Sequence, residues 1–383
     1  MDRIYLDYAA SAPLSPEAVK VIETFLKGSP VGNPSSLHIE GRKMQALLDR
    51  AHTTVAAILG VHPTEVVFTS GATESNNNLI RGVIRAWRLH HEGTPHLVMS
   101  AIEHPSWRQV AKHEGADVTL IPVSTDGVVA ASDVIKAIRA NTVLVGCMYV
   151  NNEIGTVQPV AEIGKGVEAY REKHNSRWPI FHTDAVQAFP YCNTHSGHLH
   201  ADSFTLSGHK YGALGGIGVL VLRKNMPFQS TMRGGGQEWG FRGGTENVLG
   251  AITLAAAMEH GDTHRGHLTQ HAEGLQNLIE SLIAQKLPKV QVLGQKVLRA
   301  PHISYLWLPG VVDEHIVHKL DLVGVSVSSG SACSSGATLP SSTLVAMGYD
   351  EREAFGGLRL SFGRGTTRAE VTQAIGRLVE VLG

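Results

Sequence analysis

Apolar positions in the N-terminal part of the chain follow two patterns: short, nearly continuous runs typical of buried strands, and longer segments with helical spacing. The short runs predict strands at 65–69, 97–100, 118–122, 143–150, 180–183 and 204–207. The helical segments lie at 17–26, 39–59 and 159–174, with one further helix that starts within 71–75 and runs toward His90, and others after Pro105 and from Ser132. Strands that alternate with helices predict βαβ units and a mainly parallel sheet covered on both faces.

The pattern changes beyond about residue 260. A glycine-rich segment at 233–245 precedes a long helix that begins near Glu246. The strands predicted after it lie near 290–293, 302–306, 323–326 and 358–362, with helices from Asp313, after the Cys333 loop and at the C-terminus. A chain of 383 residues is long for a single core. We therefore predict a large α/β domain of residues 14–259 and a smaller α+β domain formed by residues 1–13 and 260–383.

Composition narrows the class of protein. Apolar residues make up 43% of the chain and charged residues 17%, which is ordinary for a globular enzyme. The net charge of −1, without runs of Lys or Arg, gives no reason to expect nucleic acid or an anionic membrane as a partner. No apolar stretch has the length of a signal peptide or a membrane span, so we predict a cytoplasmic protein. Three cysteines are too few for a disulfide framework.

Lys210 is the first candidate for chemistry, because the strand 204–207 ends just before it and glycines follow it. An amine displayed at a strand end can reach one atom of a bound cofactor. The same residue could be an ordinary surface lysine in a hairpin. Asp184 ends the strand 180–183 and needs a cationic partner if it is buried, either a protonated ring nitrogen or a helix N-terminus.

Other strand ends carry further candidates. Residues 71–75, with the hydroxyl of Thr73, could hold a phosphate at a helix start or could merely cap that helix. A Lys, an Asp and a phosphate cradle are the parts that hold pyridoxal phosphate. His104 could stack on a flat cofactor or be a solvated histidine, and Asn152 could reach a ligand or belong to an Asx turn.

The C-terminal part has two candidates of its own. Cys333 lies in a serine- and glycine-rich stretch, which suits a mobile nucleophile, although an inert surface thiol would fit as well. Arg359 and Arg364 lie on or near a late strand, where a guanidinium could bind a substrate carboxylate or form an ion pair between domains. A histidine-rich helical face could bind metal but is more simply a solvated face; its members are His260, His264, His267 and His271.

Taken in order, the motifs of the chain resemble those of the cysteine desulfurases, which are pyridoxal-phosphate enzymes of the class V aminotransferase family. The resemblance extends from Leu6 to Arg359, nearly the whole chain. The segments that carry it are 68–76, 103–104, 150–155, 184–187, 207–210, 242–245 and 328–333. It implies an aminotransferase-like fold of type I, in which a large domain with a mainly parallel sheet is joined to a smaller α+β domain.

The resemblance also implies roles for particular residues. Lys210 would form the Schiff base with pyridoxal 5′-phosphate, Asp184 would hold the ring nitrogen, and Gln187 would bind the phenolic oxygen. His104 would stack on the ring and act in catalysis. Asn152 would contact the cofactor and, together with Arg359, orient the substrate. The cofactor phosphate would be bound by Ala72, Thr73, Ser207 and His209, together with Thr245 from the second subunit of a homodimer.

The implied reaction converts L-cysteine to L-alanine and leaves the sulfur on Cys333 as a persulfide. A sulfur acceptor or an iron–sulfur scaffold protein would then receive it, and Cys333 could transiently ligate a cluster, but no permanent metal is implied. The segments after Lys210 and after Cys333 depart from the usual family pattern, so the acceptor stays open. The alternatives are a selenocysteine lyase or another class V aminotransferase, in which Cys333 is dispensable, and a non-enzymatic sulfur carrier.

Overall fold

A computed structural model describes residues 3–311, 315–330 and 339–382. The strands are β1 Ile4–Tyr5, β2 Val66–Thr69, β3 His96–Ser100, β4 Asp117–Ile121, β5 Thr142–Gly146, β6 Ile180–Asp184, β7 Ser203–Ser207, β8 Gly218–Leu222, β9 Gln291–Val292, β10 Ile303–Trp307, β11 Val325–Ser326 and β12 Gly357–Ser361. The helices are α1 Pro16–Lys27, α2 Ile39–Leu59, α3 Ala72–Arg88, α4 Pro105–His113, α5 Ala131–Lys136, α6 Val160–His174, α7 Ser196–Leu199, α8 Val248–Thr263, α9 Arg265–Lys286, α10 His315–Leu322, α11 Ser342–Ala346 and α12 Arg368–Leu382.

The large sheet has the strand order β2-β8-β7-β6-β5-β3-β4. Its strands run parallel except for β8, which pairs antiparallel with both β2 and β7. The prediction of a mainly parallel sheet is therefore confirmed. The sequence analysis did not include β8, because no helix separates it from β7. An antiparallel neighbour needs only a short connection, and the glycine-rich turn at 211–216 provides one.

Both faces of this sheet are buried, which explains why its strands are nearly continuous apolar runs. Successive side chains of β2 point to opposite faces of the sheet. Val66 and Phe68 pack into the core under α2, α6 and α8, whereas Val67 packs on the other face. That second face is covered mainly by α3 and α4, with Trp107 fully buried between them and the sheet. Two helical layers thus hold the sheet in place on either side.

A second core forms around the three-stranded antiparallel sheet β12-β10-β9. Side chains from α9, α10 and α12 pack into it, and so do Ile4 and Leu6 of the N-terminal arm. The arm is held there because β1 pairs in parallel with β11, with Ile4 opposite Val325. The arm thus packs with the C-terminal part, while the predicted domain boundaries at residues 13 and 259 stay predictions.

Three elements differ from their predicted bounds. Strand β5 ends at Gly146, earlier than predicted, since its neighbour β3 ends at Ser100 and the N–H of Met148 donates to the side chain of Glu103. The long helix predicted from Glu246 begins at Val248 and is divided at His264 into α8 and α9. The start of the helix predicted at Asp313 and the segment around Cys333 lie outside the described residues.

No helix in the described ranges is long and apolar enough to span a membrane. The cellular location stays a prediction.

The close approach of β8 to the start of α3 generates a test. A Cβ at Gly218 would lie 2.6 Å from the Cα of Gly71 and 2.8 Å from the carbonyl oxygen of Leu206. Backbone atoms cannot move aside as a flexible side chain would, so we expect Gly218→Ala to lower the free energy of unfolding by about 1–3 kcal/mol. Urea denaturation followed by circular dichroism measures this.

The matched control is Gly376→Ala in α12, where an added Cβ meets nothing within 4 Å. Alanine is the better helix former, so this variant should gain about 0.5–1 kcal/mol. Equal stability of Gly218→Ala and the wild type would contradict the packing described here.

Candidate functional site

A cavity of about 1300 Å³ opens at the carboxyl edge of the large sheet. Its walls come from the turns that follow β2, β3, β5, β6 and β7, and from residues of the N-terminal arm and the C-terminal part. In parallel sheets the carboxyl ends of the strands meet along one edge, so side chains distant in sequence converge there. The predicted site residues that line this cavity are Ala72, Thr73, His104, Asn152, Asp184, Gln187, Ser207, His209, Lys210 and Arg359.

Lys210 ends the 3₁₀ turn Gly208–Lys210, directly after β7. Its Nζ donates to the carbonyl oxygens of Ala9 and Ala10, at 2.7 and 2.8 Å. The N-terminal arm therefore forms the wall that receives the lysine. The amine is half-buried at the cavity, where it can reach a bound group.

Asp184 ends β6 and is 6% exposed. One carboxylate oxygen accepts from the N–H of Val186 at 3.1 Å, and the other from Nδ2 of Asn76 at 3.0 Å. The same Nδ2 lies 3.0 Å from Oγ of Ser106, which lies 2.8 Å from Nδ1 of His104. A hydrogen-bonded chain thus connects the carboxylate with the histidine across the floor of the cavity.

The ring of His104 is held in one tautomer. Its Nδ1 accepts from the backbone N–H of Ser106 at 3.2 Å, where the imidazole caps α4. A nitrogen that accepts an N–H carries no proton of its own. In the neutral ring the proton therefore lies on Nε2.

The start of α3 faces the same cavity. Gly71 precedes the helix with φ of 149°, a conformation that favours glycine, and no side chain of the described residues caps the helix. Its first amides are therefore available to an anion. Ser207 lies close by, since its Oγ would be 3.7 Å from a Cβ at Gly71. Burial and the charge of Lys210 lower the pKa of His209 to about 4, so its ring is neutral at pH 7.

Arg359 is held by contacts with the arm and with the turn after β5. Arg359 donates from one Nη to Oδ1 of Asp7 and from the other to the carbonyl oxygen of Asn152, both at 2.8 Å. Its Nε is buried and has no hydrogen-bond partner among the described residues. These two contacts use two of the five N–H groups of the guanidinium, which lines the cavity and can bind a further acceptor there, such as a carboxylate. Arg364, by contrast, pairs with Glu17 and does not line this cavity.

The turn after β5 combines the two interpretations considered for it. Asn151 makes an Asx turn, with its Oδ1 accepting from the N–H groups of Glu153 and Ile154. The next residue, Asn152, lines the cavity. Glu153 is buried and accepts from the hydroxyls of Ser341 and Thr343, at 2.5 and 2.9 Å. Burial raises the pKa of its carboxyl, although these hydroxyls oppose the shift.

Two predicted site residues remain to be considered. Thr245 is exposed and is not part of the cavity wall. Cys333 lies outside the described residues. The histidines of the candidate metal face make other contacts: His260 pairs with Glu17, and His271 contacts the carbonyl oxygen of Thr366. No cluster suited to a metal ion occurs within the described ranges.

The sequence analysis missed four residues that organise the cavity: Asp7, Asn76, Glu103 and Ser106. Asn76 and Glu103 lie within segments that carried the family resemblance, but each of the four residues has a hydrogen-bond partner that is distant in the chain. Asn76, for example, is 108 positions from Asp184. Glu103 offered the clearest signal, since an acid directly after a buried strand requires explanation.

Pyridoxal phosphate fits this donor set. The uncapped amides of α3, the Ser207 hydroxyl and the neutral His209 ring are suited to a phosphate dianion. Asp184 is suited to a protonated ring nitrogen and Lys210 to a covalent bond with the cofactor.

Comparisons with known proteins agree along the whole chain. The family model Aminotransferase class-V matches residues 4–374. A Putative cysteine desulfurase IscS 1 of Bacillus subtilis is 35% identical, with 100% of this chain and 99% of that protein covered. Among solved structures, a NifS-like protein has a TM-score of 0.89 at 29% identity, covering 99% of both chains. SspA in complex with cysteine has a TM-score of 0.79 at 30% identity, covering 94% of this chain and 98% of that one.

The buried carboxyl of Glu103 generates a pH test. Burial raises its pKa to about 7, with the charge of Asp184 adding to the shift and hydrogen bonds from Ser100 and Met148 opposing it. The folded state therefore binds a proton that the unfolded state releases near pH 4.5. As the pH rises from about 4.5 to 7, we expect the wild type to lose about 3 kcal/mol of unfolding free energy relative to Glu103→Gln.

Urea denaturation of the protein without added cofactor, at several pH values, measures this difference. The control is Glu74→Gln: Arg242 and the Ser70 N–H lower the pKa of Glu74, although its burial opposes them. Here the wild type should lose stability relative to the variant as the pH falls. A difference between the wild type and Glu103→Gln that is independent of pH would refute the raised pKa.

Proposed function

The chain belongs to the class V aminotransferase family, and from that premise we propose that it is a cysteine desulfurase that uses pyridoxal 5′-phosphate. The observation that carries the proposal is the convergence of Lys210, Asp184 and the uncapped start of α3 in one cavity. Its relatives include proteins named cysteine desulfurase and one solved with cysteine, which supports L-cysteine as the substrate.

When bound, the cofactor supplies a conjugated ring that accepts electron density from bonds at Cα and Cβ of an amino acid. Lys210 would hold the cofactor covalently through Nζ, and its free amine would act as a base toward the bound substrate. Asp184 would keep the ring nitrogen protonated, and Gln187 would donate to the ring oxygen. Ala72, Thr73, Ser207 and His209 would bind the phosphate, helped by Thr245 of a second copy of the chain in a homodimer.

The tautomer of His104 determines which of its ring nitrogens can exchange a proton. Because Nδ1 is held by the N–H of Ser106, only Nε2 can give or take a proton. The ring would lie against the cofactor and carry protons at that atom. The hydrogen bonds that connect His104 through Ser106 and Asn76 to Asp184 would fix the positions of these side chains relative to one another.

Arg359 and Asn152 would orient the substrate. The guanidinium of Arg359 would bind the carboxylate of L-cysteine through N–H groups that Asp7 and the Asn152 carbonyl do not use, while these two contacts hold it in place. A guanidinium with two of its groups already held loses little freedom when it binds.

Cys333 would be the sulfur acceptor within the chain. Its thiolate attacks the sulfur of L-cysteine, so an S–S bond forms while the C–S bond breaks, and Cβ takes a proton. The products are L-alanine and a persulfide on Cys333, which balances L-cysteine plus one thiol. A sulfur-accepting or iron–sulfur scaffold protein would then take the sulfur.

The role of Cys333 is tested by Cys333→Ser with L-cysteine as the substrate. We expect alanine formation to fall by about two orders of magnitude or more, because the hydroxyl cannot accept sulfur. The control is Cys192→Ser, since this thiol lies outside the cavity and burial raises its pKa to about 12. Undiminished alanine and sulfide release by Cys333→Ser would instead favour a selenocysteine lyase or another class V activity.

The role of Arg359 is tested by Arg359→Lys. Lysine keeps the positive charge but lacks the planar fork of N–H groups, so we expect the KM for L-cysteine to rise about tenfold or more. The matched variant Arg364→Lys, whose guanidinium pairs with Glu17 outside the cavity, should keep the wild-type KM. The opposite result, a raised KM only in Arg364→Lys, would move the carboxylate site away from Arg359.

A further inference from the structure

His302 is a buried histidine to which the mechanism above gives no part. It precedes β10 directly and is 5% exposed. Its ring stacks on Tyr191, with the ring centroids 4.3 Å apart and the planes 11° from parallel. Its Nε2 lies 3.3 Å from Oε1 of Gln187, a residue of the cavity wall.

The orientation of the Gln187 amide follows from its two neighbours. Its Nε2 lies 2.9 Å from the carbonyl oxygen of Ala9, which can only accept. The nitrogen end of the amide is therefore on the side of the arm, and the oxygen end faces His302. Since an amide oxygen can only accept, Nε2 of His302 must carry the proton and donate it.

The ring of His302 is neutral and has one N–H to give. Burial, with a further effect from the charge of Arg359, lowers the pKa of His302 to about 3. Its Nδ1 is buried and has no hydrogen-bond partner in the part of the chain that the structure describes. Gln187 is therefore the polar contact of this ring.

We propose that His302 is a positioning residue that holds the Gln187 amide so that an N–H, and not the carbonyl oxygen, is presented to the ring oxygen of the cofactor. One N–H of Gln187 is used by Ala9, and the second is left for the cavity. If the amide turned over, its oxygen would face an anionic oxygen and repel it. The inference rests on the proposed function, because it assigns an orientation within that same site.

The consequence can be read from the visible absorbance of the enzyme with bound cofactor and no substrate. An N–H donated to the ring oxygen of the cofactor stabilises the anionic form of that oxygen. It therefore makes both the oxygen and the Lys210 nitrogen that is bonded to the cofactor less basic. The visible absorbance of the bound cofactor changes with pH as this nitrogen gains or loses its proton. Loss of the N–H donor should raise the midpoint of that change by about one pH unit. The affinity of the apoprotein for pyridoxal phosphate, measured by fluorescence titration, should fall in parallel.

Three variants separate the donor from the ring. His302→Phe keeps a ring that can stack on Tyr191 but has no N–H, so it should show the raised midpoint. His302→Gln restores an N–H at about the position of Nε2 and should return the midpoint toward that of the wild type. His302→Asn is polar but too short to reach Oε1 of Gln187, and it should behave like His302→Phe. It also provides the test if the phenylalanine variant fails to fold.

A double-mutant cycle with Gln187→Leu asks whether His302 acts through the glutamine. With leucine at position 187, His302→Phe should move the midpoint no further. An equal shift in both backgrounds, or an unchanged midpoint in His302→Phe and His302→Asn, would overturn the inference. A wild type that shows no visible cofactor band and makes no alanine from L-cysteine would instead contradict the proposed function, so the two failures are distinguishable.

Discussion

A carboxylate buried at the end of a strand is expensive, on the order of several kcal/mol, unless hydrogen bonds and charge compensate it. Asp184 meets this requirement with the Val186 N–H and with Asn76, which is itself buried on α3. The hydrogen bond from Asn76 therefore depends on the position of α3 over the sheet. The same asparagine donates to Ser106, which in turn contacts His104. The hydrogen bonds that stabilise the Asp184 carboxylate therefore also order the floor of the cavity.

The N-terminal arm supplies the second set of constraints. Its carbonyl oxygens at Ala9 and Ala10 receive Lys210, and the one at Ala9 also receives Gln187. Two residues earlier, Asp7 pairs with Arg359 of β12. A short extended segment thus connects the amine at the end of β7 with the guanidinium of the C-terminal sheet. The cavity depends on where this arm is anchored, which is the pairing of β1 with β11.

The C-terminal part contributes more than an arginine. Glu153, on the turn after β5, is held by hydroxyls of Ser341 and Thr343 at the start of α11. His302, at the start of β10, reaches Gln187. The residues that would contact substrate and cofactor are therefore ordered by groups from both parts of the molecule. Displacement of one part relative to the other would alter several of these contacts at once.

The local pattern by itself determined the parallel strands, because a strand buried on both faces must be apolar almost throughout. It also determined which side chains stand at the carboxyl edge, since each follows the last apolar residue of a strand. The local pattern did not predict the antiparallel β8, the early end of β5 or the division at His264, because these features depend on neighbours distant in sequence. The contacts of Asn76 with Asp184 and of His302 with Gln187 were likewise decided only by the tertiary structure. A hydrogen bond requires two groups within about 3 Å, and spacing along the chain carries no information about that distance once the chain has folded back on itself.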